Sequence, residues 1–157
     1  MKIAIFVLSM LTFQTLVGAQ EMKVPDLIPL KKATDNFMSK LSNGQEEAAF
    51  NELINKYWFN RNDAASVSMS LKGQYLGMKP KIRTIGKRLP NGYEFLGYRR
   101  VGKSAVRLVY GLKYEHQFLP WAFSFYKAEN QWTLNAVAFG DTVSDDLRAL
   151  SINEPAK

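Results

Sequence analysis

Along the chain, the spacing of apolar residues changes once, from a helical repeat to alternation. In "LKKATDNFMSKLSNG" the apolar positions Leu30, Ala33, Phe37, Met38 and Leu41 recur every three or four residues and stop at Asn43-Gly44, which predicts an amphipathic helix. "QEEAAFNELINKYWF" repeats the stripe with Phe50, Leu53, Ile54, Tyr57 and Trp58, and Glu46-Glu47 suit the positive end of a helix dipole. Residues 63–76 predict a weaker third helix, with Ala64, Val67, Leu71 and Tyr75 on one side and Asp63 as its N-cap.

From residue 79 the period is two. "KIRTIGKR", residues 81–88, predicts an exposed strand, and "AVRLVYGLKYEHQF" a long one with Val106, Leu108, Tyr110, Leu112, Tyr114, His116 and Phe118 on its apolar face. "YEFLGYRR" joins that strand through a two-residue turn beginning at Gly102. This register sets Phe95 opposite Tyr110 and Gly97 opposite Leu108 on the core face, with Tyr98 beside Arg107 and Arg100 opposite Ala105 on the other. "FSFYKAENQWTLNAVAF" predicts a hairpin turning at Glu129-Asn130. Its aromatic face pairs Phe125 with Leu134, Phe123 with Ala136 and Trp121 with Ala138, and sets Lys127 across from Trp132 as a cation–π contact. The reverse face pairs Tyr126 with Thr133 and Ser124 with Asn135, and includes Phe139. Thr142-Val143-Ser144-Asp145 predicts a capping box opening a short helix to about Leu150. The expected class is therefore α+β: N-terminal helices packed on a strongly curved antiparallel sheet of about five strands, then a short C-terminal helix.

The first residues change the compartment. Met1-Lys2, the apolar run Ile3 to Leu11 and the small residues Val17-Gly18-Ala19 predict a signal peptide over residues 1–19. Thr12, Gln14 and Thr15 interrupt the run well short of the ~20 apolar residues a membrane anchor needs. Residues 20–157 then form one domain, with a core over about 30–150, expected in the periplasm or outside the cell without stable membrane insertion. The chain has no cysteine, so neither a lipid-anchor cysteine nor a disulfide is available.

A net charge of +7 draws the protein towards anions, but outside the cytoplasm these are lipid headgroups, polysaccharides and acidic small molecules, so no nucleic acid is expected. Arg83, Tyr98, Arg100 and Arg107 are the anion-binding candidates, arginine supplying a planar fork and tyrosine a hydroxyl. Protection of edge strands by charge is the other reading of the same residues.

One histidine and no cysteine leave too few soft ligands for zinc or iron. No "GxSxG" elbow occurs, no cofactor is expected, and catalysis is not favoured. Tyr110 and His116 are candidates for facing a cavity, His116 either as an acid–base group or as a hydrogen-bonded rim residue. Ser124, Tyr126, Thr133 and Asn135, on the reverse face of the last hairpin, are candidates for contact with a ligand or a second subunit.

The paired N-terminal helices, the meander and the ending "FSFYK" then "QWTLNAVAF" resemble the nuclear transport factor two-like superfamily, whose cone-shaped α+β fold is also called cystatin-like. The resemblance covers roughly residues 30–141. It implies a cavity between the helices and a concave sheet and a homodimer through the sheet, but no particular activity. The expected function is an exported, non-catalytic binding or interaction module that accepts an apolar or acidic small molecule or docks a protein. The alternative is a small isomerase- or dehydratase-like enzyme using the same cavity.

Overall fold

The computed structural model describes residues 25–151, so the expected signal peptide lies outside the described residues. A 3-10 turn, Pro25–Leu27, leads into α1 (Ile28–Ser42), followed by α2 (Glu46–Tyr57), α3 (Ala64–Gly77) and the four-residue α4 (Lys79–Ile82). The first three helices stand where the apolar stripes predict them. Leu30, Phe37, Met38 and Leu41 of α1 and Phe50, Leu53 and Ile54 of α2 are buried. Each contributes roughly 1.5–3 kcal/mol by leaving water.

The predicted stop after α1 forms as expected. Gly44 takes a φ of +80°, and its N–H reaches Leu41 O at 3.2 Å while the Gln45 N–H reaches Lys40 O at 2.9 Å. This pair of bonds closes a helix end of the Schellman type, which favours glycine at that position. Asp63 precedes α3, but its carboxylate does not cap the helix. It accepts hydrogen bonds from Trp58 Nε1 at 2.9 Å and Asn60 Nδ2 at 3.1 Å instead.

Residues 81–88 do not form the expected strand. Pro80 sits in the first turn of α4, a 3-10 turn Arg83–Ile85 follows, and a strand begins only at Arg88. Proline presets the helical φ, and the three-residue spacing of Ile82 and Ile85 lets one turn direct both towards the core.

The sheet has four antiparallel strands rather than five, in sequence order: β1 (Arg88–Val101), β2 (Ala105–Tyr114), β3 (Phe118–Ala128) and β4 (Gln131–Phe139). It is not strongly curled. The β1–β2 connection has three residues, not two, so Val101 pairs with Ala105, Arg100 with Val106 and Tyr98 with Leu108. A bulge at Leu96 absorbs the extra residue and restores Phe95 opposite Tyr110. The β3–β4 hairpin turns at Glu129-Asn130 as expected, with Glu129 at a φ of 53° and Phe125 opposite Leu134. A second bulge, at Asn135, then shifts the pairing. Ser124 meets Ala136, Phe123 meets Val137 and Trp121 meets Phe139. Phe139 therefore belongs to the aromatic face, with its ring centroid 4.6 Å from that of Trp121.

The helices cover one face of the sheet. Between them, Phe37, Phe50, Tyr110, Trp121 and Phe123 are at most 1% exposed, and their rings meet edge-to-face or tilted at centroid distances of 5.1–6.2 Å for the Phe37–Phe50, Phe37–Trp121, Phe37–Phe123, Tyr110–Phe123 and Phe50–Trp121 pairs. The layer where a cavity was expected is filled by these side chains. On the opposite face, a 3-10 turn Gly140–Val143 leads into α5 (Ser144–Ser151). No capping box forms there, because Thr142 Oγ1 donates to Phe139 O and Ser144 Oγ to Asp141 O. Val143, Leu147 and Leu150 pack with Leu96, Val109, Ala122 and Ala138 of the sheet.

Candidate functional site

The ladders arrange the back of the sheet, the face away from α1 and α2, into three rows that cross all four strands. The row under α5 is Gly97, Val109, Ala122 and Ala138. Its side chains are small, which lets a helix sit close. The next row is Arg99, Arg107, Ser124 and Ala136, and the outermost is Val101, Ala105, Tyr126 and Thr133. Opposed residues of an antiparallel ladder share a face, so each row is continuous.

Arg107 ties the covered row to the open ones. Its Nη1 donates to Ser124 Oγ at 3.0 Å, and its Nη2 lies 2.8 Å from Asp146 Oδ2 of α5. Asp146 is only 8% exposed, so this acid is committed to that guanidinium. Arg99, directly across from Arg107, is exposed and makes no ion pair among the described residues. In the outermost row Val101 is 72% exposed and Tyr126 47%. Asn135 is exposed at the bulge, where Thr133 Oγ1 approaches its Oδ1 at 3.5 Å.

The structure thus brings Ser124, Tyr126, Thr133 and Asn135 to one end of the back face. The other candidates lie elsewhere. Tyr110 is in the core, where its hydroxyl meets Thr34 Oγ1 at 2.7 Å and donates to Asp35 Oδ1 at 2.9 Å, tying α1 to the sheet. Burial, reinforced by the Asp35 charge, pushes its pKa far up, so the phenol stays neutral. His116 is not on the apolar face of a strand. β2 ends at Tyr114, and His116 is exposed in the turn to β3 with its N–H on Ile85 O at 3.1 Å.

The four anion-binding candidates do not converge. The three-residue β1–β2 loop moves Tyr98 and Arg100 from the back face to the helix side, where Tyr98 packs against the main core. Arg100 there donates to Gly102 O and Lys103 O, both at 3.1 Å, and pairs with Asp26 at 3.4 Å. Arg107 stays on the back. Arg83 lies beside the β2–β3 end, about 20 Å of strand away from Arg107.

A shallow cleft of about 530 Å³ opens where α2 begins, against the end of α3 and the start of α4, lined by Glu46, Glu47, Lys72, Leu76 and Lys79 among others. Its two carboxylates are already paired, Glu47 with Lys72 at 2.8 Å and Glu46 with Arg88 Nη1 at 3.0 Å. Arg88 also donates to Tyr75 Oη at 3.2 Å, and Tyr75 meets Tyr114 Oη at 3.1 Å. Burial alone would raise the Glu46 pKa, but its own backbone N–H and Arg88 overcome this and hold it below the ordinary 4.5. A carboxylate stabilised in that way is a weak base. Burial and the Tyr75 hydrogen bond push the Tyr114 phenol far up, which leaves it a fixed hydrogen-bonding group.

Comparison with protein-family models, with curated proteins and with solved structures found no match. What stands is an α+β architecture of N-terminal helices on a four-stranded antiparallel sheet. A two-residue turn pairs Val101 with Ser104 on the core face, whereas the three-residue loop pairs it with Ala105 on the back. Parity across the three-residue loop is the signal that places Val101 in the row of Ala105 and Tyr126.

Proposed function

We propose that this protein is an exported interaction module that docks a protein partner on the two open rows of its sheet, from Arg99 and Arg107 outwards to Val101 and Tyr126. The observation that carries the reading is the outermost row, where Val101 and Tyr126, exposed at 72% and 47%, flank Ala105 on one continuous surface. An exposed aromatic beside an apolar residue and an arginine is the composition typical of an interface centre. The filled layer between helices and sheet favours this over a small ligand held inside. The resemblance to nuclear transport factor two-like proteins belongs to the same proposal, since those domains use their sheet for contact. Export rests on the apolar run after Met1-Lys2.

Photo-crosslinking residues placed at Tyr126, at Val101 and, as a control, at the exposed Gln74 of α3 test it in the native cells. A discrete heavier adduct from the first two positions and none from Gln74 is expected. No adduct at any position, or the same adducts from all three, would end the docking reading.

A further inference from the structure

The back face also indicates what kind of segment would cover its open rows, an inference that rests on the docking reading above. The Gly140–Val143 turn contacts β3 and α5 contacts β1, so the C-terminal segment runs across the strands rather than along them. It uses two kinds of contact. Leu147 and Leu150 cover small residues of the sheet, and Asp146 neutralises Arg107.

The open rows offer the same two contacts again. Ala105 is a small residue between Val101 and Tyr126, and Arg99 is an arginine without an acid partner among the described residues. Arginines directly opposite one another on a ladder repel. Asp146 offsets the charge of Arg107, which leaves Arg99 as the exposed positive charge of the pair and the place for a second carboxylate.

Space agrees with chemistry. Strands lie about 4.8 Å apart, so a row across four of them is roughly 14 Å long, and a helix of α5's eight residues is about 12 Å. The outermost row lies about 13 Å along the strands from the row under α5. Helices packed side by side need about 8–10 Å between axes, so one more helix fits beside α5.

We infer that the docking surface accepts an acidic amphipathic helix of a partner protein, laid alongside α5, with a carboxylate on Arg99 and its apolar side chains on Val101, Ala105 and Tyr126. A second copy of this chain fits less well, because a two-fold contact uses the same patch on both copies and so sets one basic surface, with Arg99, against another.

Selection of displayed random peptides on the purified protein tests this. Enriched sequences are expected to carry an apolar stripe at helical spacing with aspartate or glutamate beside it. They should lose about tenfold or more in affinity to Arg99→Glu and to Val101→Asp. Both residues are exposed, and unchanged circular dichroism confirms that the variants fold. Affinity for Lys72→Glu, on the helix side, should be unchanged. Enrichment of basic or extended peptides, binding indifferent to Arg99→Glu and Val101→Asp, or no enrichment overturns the inference. So does sedimentation showing a dimer that Val101→Asp dissociates. Crosslinks from Tyr126 to a partner alongside any of those peptide results would leave docking standing and remove only the helix.

Discussion

The two faces of the sheet are built from alternating residues of the same strands, yet they do opposite work. Phe125 and Tyr126 are neighbours on β3, and one is 2% exposed while the other is 47%. The helix side gathers Phe37, Phe50, Tyr110, Trp121 and Phe123 into one layer. The three rows of the back carry mostly small residues and two arginines, with Tyr126 as their one aromatic, and a single eight-residue helix covers one row. Large side chains therefore supply cohesion on one face, while small and charged ones on the other leave a surface that something else can occupy.

The sharpest way to break this contrast is to empty the aromatic layer. Trp121→Ala should cost about 3–5 kcal/mol, read as a lower urea midpoint at constant m value. An effect under ~1 kcal/mol would show that the layer is not the main source of stability. Removing the clamp on the back should cost less. Asp146→Ala is expected to cost about 1–2 kcal/mol, below the range for a fully buried pair because Arg107 is 31% exposed. Amide exchange should quicken at Leu147 and stay slow at Tyr110, since only α5 is released. Tyr110→Phe removes one hydroxyl, while Thr34 can still donate to a carbonyl of α1 and Asp35 keeps its pair with Lys31, so about 1 kcal/mol is expected.

A pH effect belongs to the seam between helices and sheet. Because the folded pKa of Glu46 lies below its ordinary value of 4.5, its contribution is complete above that value and is lost as pH falls through the lowered one. Glu46→Gln should flatten the acid limb of the stability curve, and an unchanged limb would show that the Arg88 pair contributes nothing. The smallest change completes the comparison. Tyr126→Ala should move stability by no more than about 0.5 kcal/mol, whereas Phe125→Ala, one residue away, costs about 3 kcal/mol.

Much of the helix side was legible from the chain. The stripes at Leu30 to Leu41 and Phe50 to Trp58, the stop at Gly44, and the pairing of Phe125 with Leu134 all follow from residues close in sequence. The Lys127 ammonium does lie over the Trp132 ring, 5.6 Å from its centroid. The site was legible only in part. Ser124, Tyr126, Thr133 and Asn135 do share one end of the back face, but Tyr98 and Arg100 were assigned to the wrong side and Arg99 was not singled out. Each of these errors traces to one extra residue in the loop after Val101.

Periodicity by itself determined the first three helices, the strands after residue 88, and that one face of the last hairpin is core, because i to i+4 and i to i+2 spacing are local properties of the backbone. Only the tertiary structure decided where the bulges at Leu96 and Asn135 fall, which arginines face α5, and that residues 81–85 wind into helical turns. A single inserted residue moves every later side chain to the opposite face, and whether it is absorbed depends on the partner strand, which lies far along the chain.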